Sequence, residues 1–217
     1  MTPRIRGIFF VFLTVLLLLP CLPAQTTPQL TPFSADMQFT SSRMGGSTPQ
    51  TMTGKMYVGH GNMRMDLTGG PRGSAVMITN FASKTTDTLL PEQHMYMEFK
   101  ADQLMARHGM GPNISPIPDP NNPCANEQGA TCKNLGVEQV NGRSCTHWQI
   151  TDKNGKVGNV WIDQQLHFPI KATDADSKWE LSNIKEGEPA ASLFQVPSGY
   201  QKMDLGGMMQ GARPPQQ

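Results

Sequence analysis

The sequence carries none of the short motifs that mark the common catalytic chemistries. It has no GxSxG nucleophile elbow, no HExxH metal pair, no CxxC redox pair and no phosphate-binding glycine loop. Nothing in it calls for a cofactor. It also lacks a basic stripe of the kind that grips phosphates, which argues against nucleic acid as a partner. No βαβ alternation is present, so there is no case for a nucleotide-binding sheet. The Cys and His spacings match no usual zinc pattern, and no metal site is assigned.

Long apolar runs are missing everywhere except at the start. Arg4 and Arg6 precede a run of 12 residues, Ile8 to Leu19, and Leu22-Pro23-Ala24 offers a small residue before Gln25. A basic start, a short apolar middle and a small-residue cut describe a secretory signal peptide over residues 1–24. The run falls short of the roughly 20 residues that a spanning helix needs. Cys21 raises the alternative of a lipid anchor, but Pro20 precedes it where lipoprotein processing looks for a small residue. The reading is therefore of a periplasmic or secreted, soluble mature protein. Without Arg4 and Arg6, 16 basic residues face 17 acidic ones, so the mature chain is near neutral. Its length suits one well-buried domain.

Asn-Gly pairs and two-residue alternation dominate what remains. Asn141-Gly142 and Asn154-Gly155 each sit between strand-like stretches and read as two-residue hairpin tips. In that register Leu135 faces Trp148 and Trp148 faces Trp161, an apolar row across three strands. Upstream, alternation predicts strands over Phe33–Met44, Thr51–Gly59, Asn62–Leu67, Ala75–Asn80, Lys84–Leu90 and His94–Phe99. Downstream, His167–Thr173 and Lys178–Lys185 read as two more, and Ser192–Met203 returns to the domain edge. Lys100–His108 is the clear helical candidate. Pro112, Pro116, Pro118, Pro120 and Pro123 exclude regular structure from most of 110–130, a loop long enough to act as a lid or as a tied connector. The implied fold class is mainly β (α+β): one antiparallel, half-open barrel-like sheet of about ten strands with one or two covering helices. The domain runs from 33 to 203, with a flexible segment at 25–32 and a disordered tail at 204–217.

An exported chain meets an oxidising compartment, so one disulfide is expected among Cys124, Cys132 and Cys145. In the hairpin register Cys132 and Cys145 are roughly 20 Å apart, beyond disulfide reach. Cys124–Cys132 is favoured, with Cys124–Cys145 as the alternative.

The phrases TGKMYVGHGNMRMDL and SAVMITNFASKTTDTLLPEQHMYMEF resemble exported proteins of the LolA and LolB type, the outer-membrane lipoprotein carriers. GVEQVNGRSCTHWQI, NVWIDQQLHFPIK and SLFQVPSGYQKM resemble more closely an uncharacterised family of exported domains of unknown function thought to share that fold. The resemblance runs from about Phe33 to Met203. It implies a half-open antiparallel barrel around a helix, whose concave face in the carriers holds acyl chains. The Pro-rich loop and the high methionine content depart from the carrier pattern.

Fifteen methionines supply the candidate site. Met63/Met65 and Met95/Met97 are i, i+2 pairs, each projecting from one face of a strand, and thioether side chains suit variable apolar partners. Met56, Met63, Met65, Met77, Met95 and Met97, with Trp148 and Trp161 as an aromatic wall, are the ligand-cavity candidates. The bland alternative makes them core. The partners this implies are a lipid or lipoprotein, transient membrane contact and an envelope protein. A second class is an envelope interaction module whose core is filled by its own side chains. A third is copper handling by methionine with His60, His94 or His108. Cys145 and His147 share a strand face as nucleophile and base would, with no third group in view.

Overall fold

The structure is a computed structural model, described for residues 30–42, 48–70, 73–100, 119–125 and 128–203. Residues 1–24, the helical candidate beyond Lys100, residues 110–118 of the Pro-rich loop and the 204–217 tail lie outside the described residues.

Among the described residues, twelve strands form one open sheet. They are β1 (Phe33–Ser41), β2 (Gln50–Gly59), β3 (Asn62–Gly70), β4 (Gly73–Asn80), β5 (Thr85–Leu90), β6 (Met95–Lys100), β7 (Thr131–Val140), β8 (Arg143–Thr151), β9 (Val157–Asp163), β10 (Pro169–Thr173), β11 (Ser177–Glu186) and β12 (Gln201–Lys202). Their order across the sheet is β12-β6-β5-β4-β3-β2-β1-β11-β10-β9-β8-β7. Two meanders, β1–β6 and β7–β11, therefore join edge to edge through the β1–β11 pair. Every pairing is antiparallel except β12 against β6. The helical content among the described residues is two short 3-10 turns, Pro91–Gln93 and Ala191–Phe194.

The core follows from alternation. On β1, Phe33, Ala35, Met37 and Phe39 are buried while their neighbours are not. They pack with Met56 and Val58 of β2, Met63 and Met65 of β3, and Trp179 and Leu181 of β11. Gly54 is required on β2, because a Cβ there would stand 1.8 Å from the Asp66 carbonyl oxygen. Behind β3–β6 the returning chain lays Phe194, Val196 and Tyr200 against Val76, Ile78 and Leu89. Arg64 ties that segment down, its Nη1 donating to the Leu193 carbonyl at 2.8 Å.

The two Asn-Gly pairs differ. Asn141 and Gly142 both have positive φ (50° and 78°), and Val140 faces Arg143, a two-residue turn of the expected kind. At the second, Asp152 Oδ1 accepts from the backbone N–H groups of Asn154 and Lys156 at 2.8 Å, and only Gly155 has positive φ. Asp152 N bonds the Lys156 carbonyl, leaving a three-residue loop. The β8–β9 register is thus one residue from that expected: Trp148 faces Val160, and His147 faces Trp161. A one-residue slip moves side chains to the other face, so Trp148 and Trp161 lie on opposite faces. Leu135 does not face Trp148 either. It is the extra residue of a bulge between Asn134, opposite Trp148, and Gly136, opposite His147. The three-strand apolar row is replaced by two separate clusters, Trp148 with Val160 and Ile162, and Trp161 with the main core.

Cys124 and Cys132 form the disulfide. Cys145 is free and buried.

Candidate functional site

Cross-strand register gathers the methionines of β2, β3, β4 and β6 into one row. Ala35, Met56, Met65, Met77, Thr88 and Met97 stand side by side across β1 to β6. A parallel row, Phe33, Val58, Met63, Thr79, Thr86 and Phe99, crosses the same strands. Met95 lies on that face too, opposite Leu90. Burial changes along the row. Met56 is 0% and Met65 8% exposed, and Met63 is buried with them, whereas Met77, Met95, Met97 and Phe99 are only half-buried. Half of the candidate methionines are core, and half form the margin where that core comes to the surface. The hydroxyls on this margin are partly satisfied, since Thr79 and Thr86 bond each other at 3.0 Å. What the face offers is a soft, polarizable apolar surface on which none of the described strand residues is charged.

The tryptophans sit elsewhere. Trp161 is sandwiched on β9: the His147 ring stacks on it with centroids 4.2 Å apart, and the Lys171 ammonium lies 4.2 Å from its centroid. Its indole N–H donates to Glu138 Oε2 at 2.7 Å. Glu138 Oε1 lies 2.8 Å from His147 Nδ1, and His147 Nε2 lies 3.0 Å from the Asn159 side-chain oxygen. The Trp161 indole and the His147 ring, in that order of importance, hold the Glu138 carboxyl below its ordinary pKa. Glu138 is the residue that sequence reasoning missed. Its place opposite Cys145 on β7 was legible, and with it the carboxylate partner that His147 lacked.

This cluster does not activate the thiol. Cys145 Sγ donates to the Arg143 carbonyl at 3.6 Å, and burial, followed by the nearby Asp163 carboxylate, pushes its pKa up to about 12. A nucleophilic cysteine needs the opposite shift. Asp163 is itself consumed: it accepts from the backbone N–H groups of Gln165 and Leu166 at 2.8 Å and from the Arg143 guanidinium, which also reaches Glu186 at 2.8 Å. A recess of about 200 Å³ opens beside it, lined by Pro120, Thr146, Ile162, Gln164 and His167. It lies away from the methionine row and offers no unspent carboxylate.

The histidines named for copper are also placed apart from the methionines. His60 Nε2 lies 3.0 Å from the Pro189 carbonyl and its ring packs on Phe194. His94 packs on Tyr200, and His108 is outside the described residues. Among the described residues no cluster of three His, Cys, Asp or Glu side chains has metal-binding geometry.

Residues 35–167 match the model of a domain of unknown function, DUF4412. The chain belongs to the DUF4412 family. That match runs from within β1 to the turn after β9, so the methionine row and Trp161 with Glu138, His147 and Asn159 fall inside the DUF4412 domain, while β10, which carries Lys171, β11 and β12 follow it. No curated protein matches the chain in sequence. An uncharacterised conserved protein from Thermus thermophilus shares the DUF4412 chain's fold at a TM-score of 0.52 and 10% identity, over 80% of this chain and 90% of that one. MucB is similar at a TM-score of 0.48 and 16% identity, over 79% of this chain but only 59% of MucB. The LolA superfamily protein NE2245 from Nitrosomonas europaea is similar at 0.40 and 10% identity, over 76% and 90% of the two chains. Among the described residues no helix is long and apolar enough to cross a membrane.

Proposed function

We propose that this DUF4412 chain is an exported, non-enzymatic binding protein of the cell envelope that receives the acyl chain of a lipid or of a lipidated partner. The observation that carries the reading is the methionine row that leaves the core at Met65 and continues, half-buried, through Met77 to Met97. An acyl chain laid along it would extend the existing core, each methylene removed from water contributing about 0.8 kcal/mol. Met95 and Phe99 border the track and Thr88 interrupts it. Unbranched thioether side chains repack at little cost, which suits chains of variable length. Trp148 and Trp161 are framework in this reading, because Trp161 has both ring faces and its N–H already engaged.

A second reading is supported by the burial of Met56, Met63 and Met65: an envelope interaction module whose core is its own. Titration with a fluorescent fatty acid separates the two. The wild-type protein should bind saturably, and Met97→Lys should bind about tenfold more weakly, a loss of about 1.4 kcal/mol, with an unchanged circular-dichroism spectrum. Absence of saturable binding by the wild type would leave the interaction module.

A further inference from the structure

Among the described residues, one margin of the sheet is finished by a returning strand and the other is not. At β6, β12 adds a short parallel strand, with Gln201 N bonded to the His94 carbonyl at 2.9 Å and Met203 N to the Tyr96 carbonyl at 2.8 Å. At the opposite margin, β7 pairs among the described residues only with β8 and is exposed along nearly its whole length. Leu135, 41% exposed, and Val137, 60% exposed, are two of the three exposed large apolar side chains among the described residues. An open edge of this kind is a template for another strand.

We infer that β7 is the pairing edge for a second copy of this chain, joined antiparallel about a two-fold axis. The register of that pairing follows from the backbone. The two-residue turn makes Val140–Arg143 a hydrogen-bonded pair, and such pairs alternate along an antiparallel ladder. Glu138 and Gly136 therefore turn toward Cys145 and His147 of β8, the Gly136 N–H going to Asn134 Oδ1 at 2.8 Å, while Gln139 and Val137 turn their N–H and C=O groups outward. The bulge at Leu135 shifts the alternation by one, so beyond it the outward residues are Asn134 and Cys132. Outward groups meet outward groups when Val137 stands opposite Asn134 of the second copy. The axis then passes between Leu135 and Gly136.

That register is self-complementary. Glu138 faces Lys133 of the second copy in both directions, giving two cross-strand pairs of opposite charge. Both side chains project from the same sheet face, since their β8 partners Cys145 and Gln149 are an even number of residues apart. Leu135 of each copy comes beside Gly136 of the other, where a Cβ would meet nothing within 4 Å. The neighbouring match, with the axis on Glu138, would oppose two carboxylates and is disfavoured. Pairing continues the sheet through both molecules and leaves the methionine row untouched, so this inference stands independently of lipid binding.

Sedimentation velocity of the mature protein, from low-micromolar to several hundred micromolar concentration, tests it with two variants. Lys133→Glu sets like charges opposite one another twice. Val137→Pro removes an outward N–H for which the described residues supply no acceptor, a substitution an edge strand tolerates. The wild type should show a reversible monomer–dimer equilibrium, weakened about tenfold or more by each substitution while the circular-dichroism spectrum is retained. A wild type that stays monomeric throughout, or a dimer that both variants leave unchanged, would overturn the assignment. Should Val137→Pro disturb the fold, the exposed Lys133→Glu variant decides alone.

Discussion

Two carboxyls on the sheet are displaced in opposite directions, and the signs give opposite pH behaviour. Glu138 is held below its ordinary value of 4.5 by the Trp161 indole and then by His147. It therefore contributes stability that is present above about pH 4.5 and is lost as the pH falls through the lower folded-state value. Asp87 is raised above 3.8, first by burial and then by Glu98 on the adjacent strand, and its Oδ1 is buried without a partner. Its ionisation costs stability once the pH exceeds 3.8, and the cost is complete above the raised folded-state value. Urea unfolding across pH should show Asp87→Asn stabilised at neutral pH, with the gain shrinking toward pH 3.8. Glu138→Gln should be destabilised at neutral pH and should lose less than the wild type on acidification. The reverse order for either variant would refute the assigned cause. At this scale the sequence was partly legible. The odd thiol at Cys145 could be counted, but its inertness depends on burial beside Asp163, a residue 18 positions away that only the β8–β9 pairing brings near.

At the scale of elements, hydrophobic alternation located the strands of the first meander, most plainly β1, where one face lies in the core and the other outside it. The Asn141-Gly142 hairpin was legible for the same kind of reason, a local backbone demand met by local residues. The β8–β9 register was not, because Asp152 competes for the N–H groups of its own loop and adds a residue to it. The bulge on β7 had a signal, Gly136 inside a strand pattern two residues after Asn134, whose side chain caps its N–H at 2.8 Å. The burial gradient along the methionine row was illegible, since a strand's alternation does not tell which of its neighbours cover it. That gradient makes a stability prediction. Met65→Lys would bury an ammonium in the core and should cost about 3 kcal/mol or more. Met97→Lys can extend its amine to solvent and should cost no more than about 1 kcal/mol. Denaturant midpoints with unchanged slopes would establish the difference, and equal losses would show that the two ends of the row are equally buried.

For the whole molecule, the fold class was legible from composition and spacing: many short alternating strands without βαβ units lead to an antiparallel sheet, and the described residues form one of twelve strands. The family was legible through structural phrases, and those phrases are where β2–β6, β7–β10 and the returning segment 192–203 lie. The closing strand β12 was not, because two exposed residues, Gln201 and Lys202, carry no pattern and become a strand only against β6. The methionine row and the β7 edge lie in different meanders, so ligand capture and self-association would be separable. Acyl-chain capture is tested most directly by mass spectrometry of an organic extract from the protein, purified natively without detergent. A lipid present in stoichiometric amount, and depleted from Met97→Lys, is the predicted result. A clean extract from folded, monodisperse protein would contradict it.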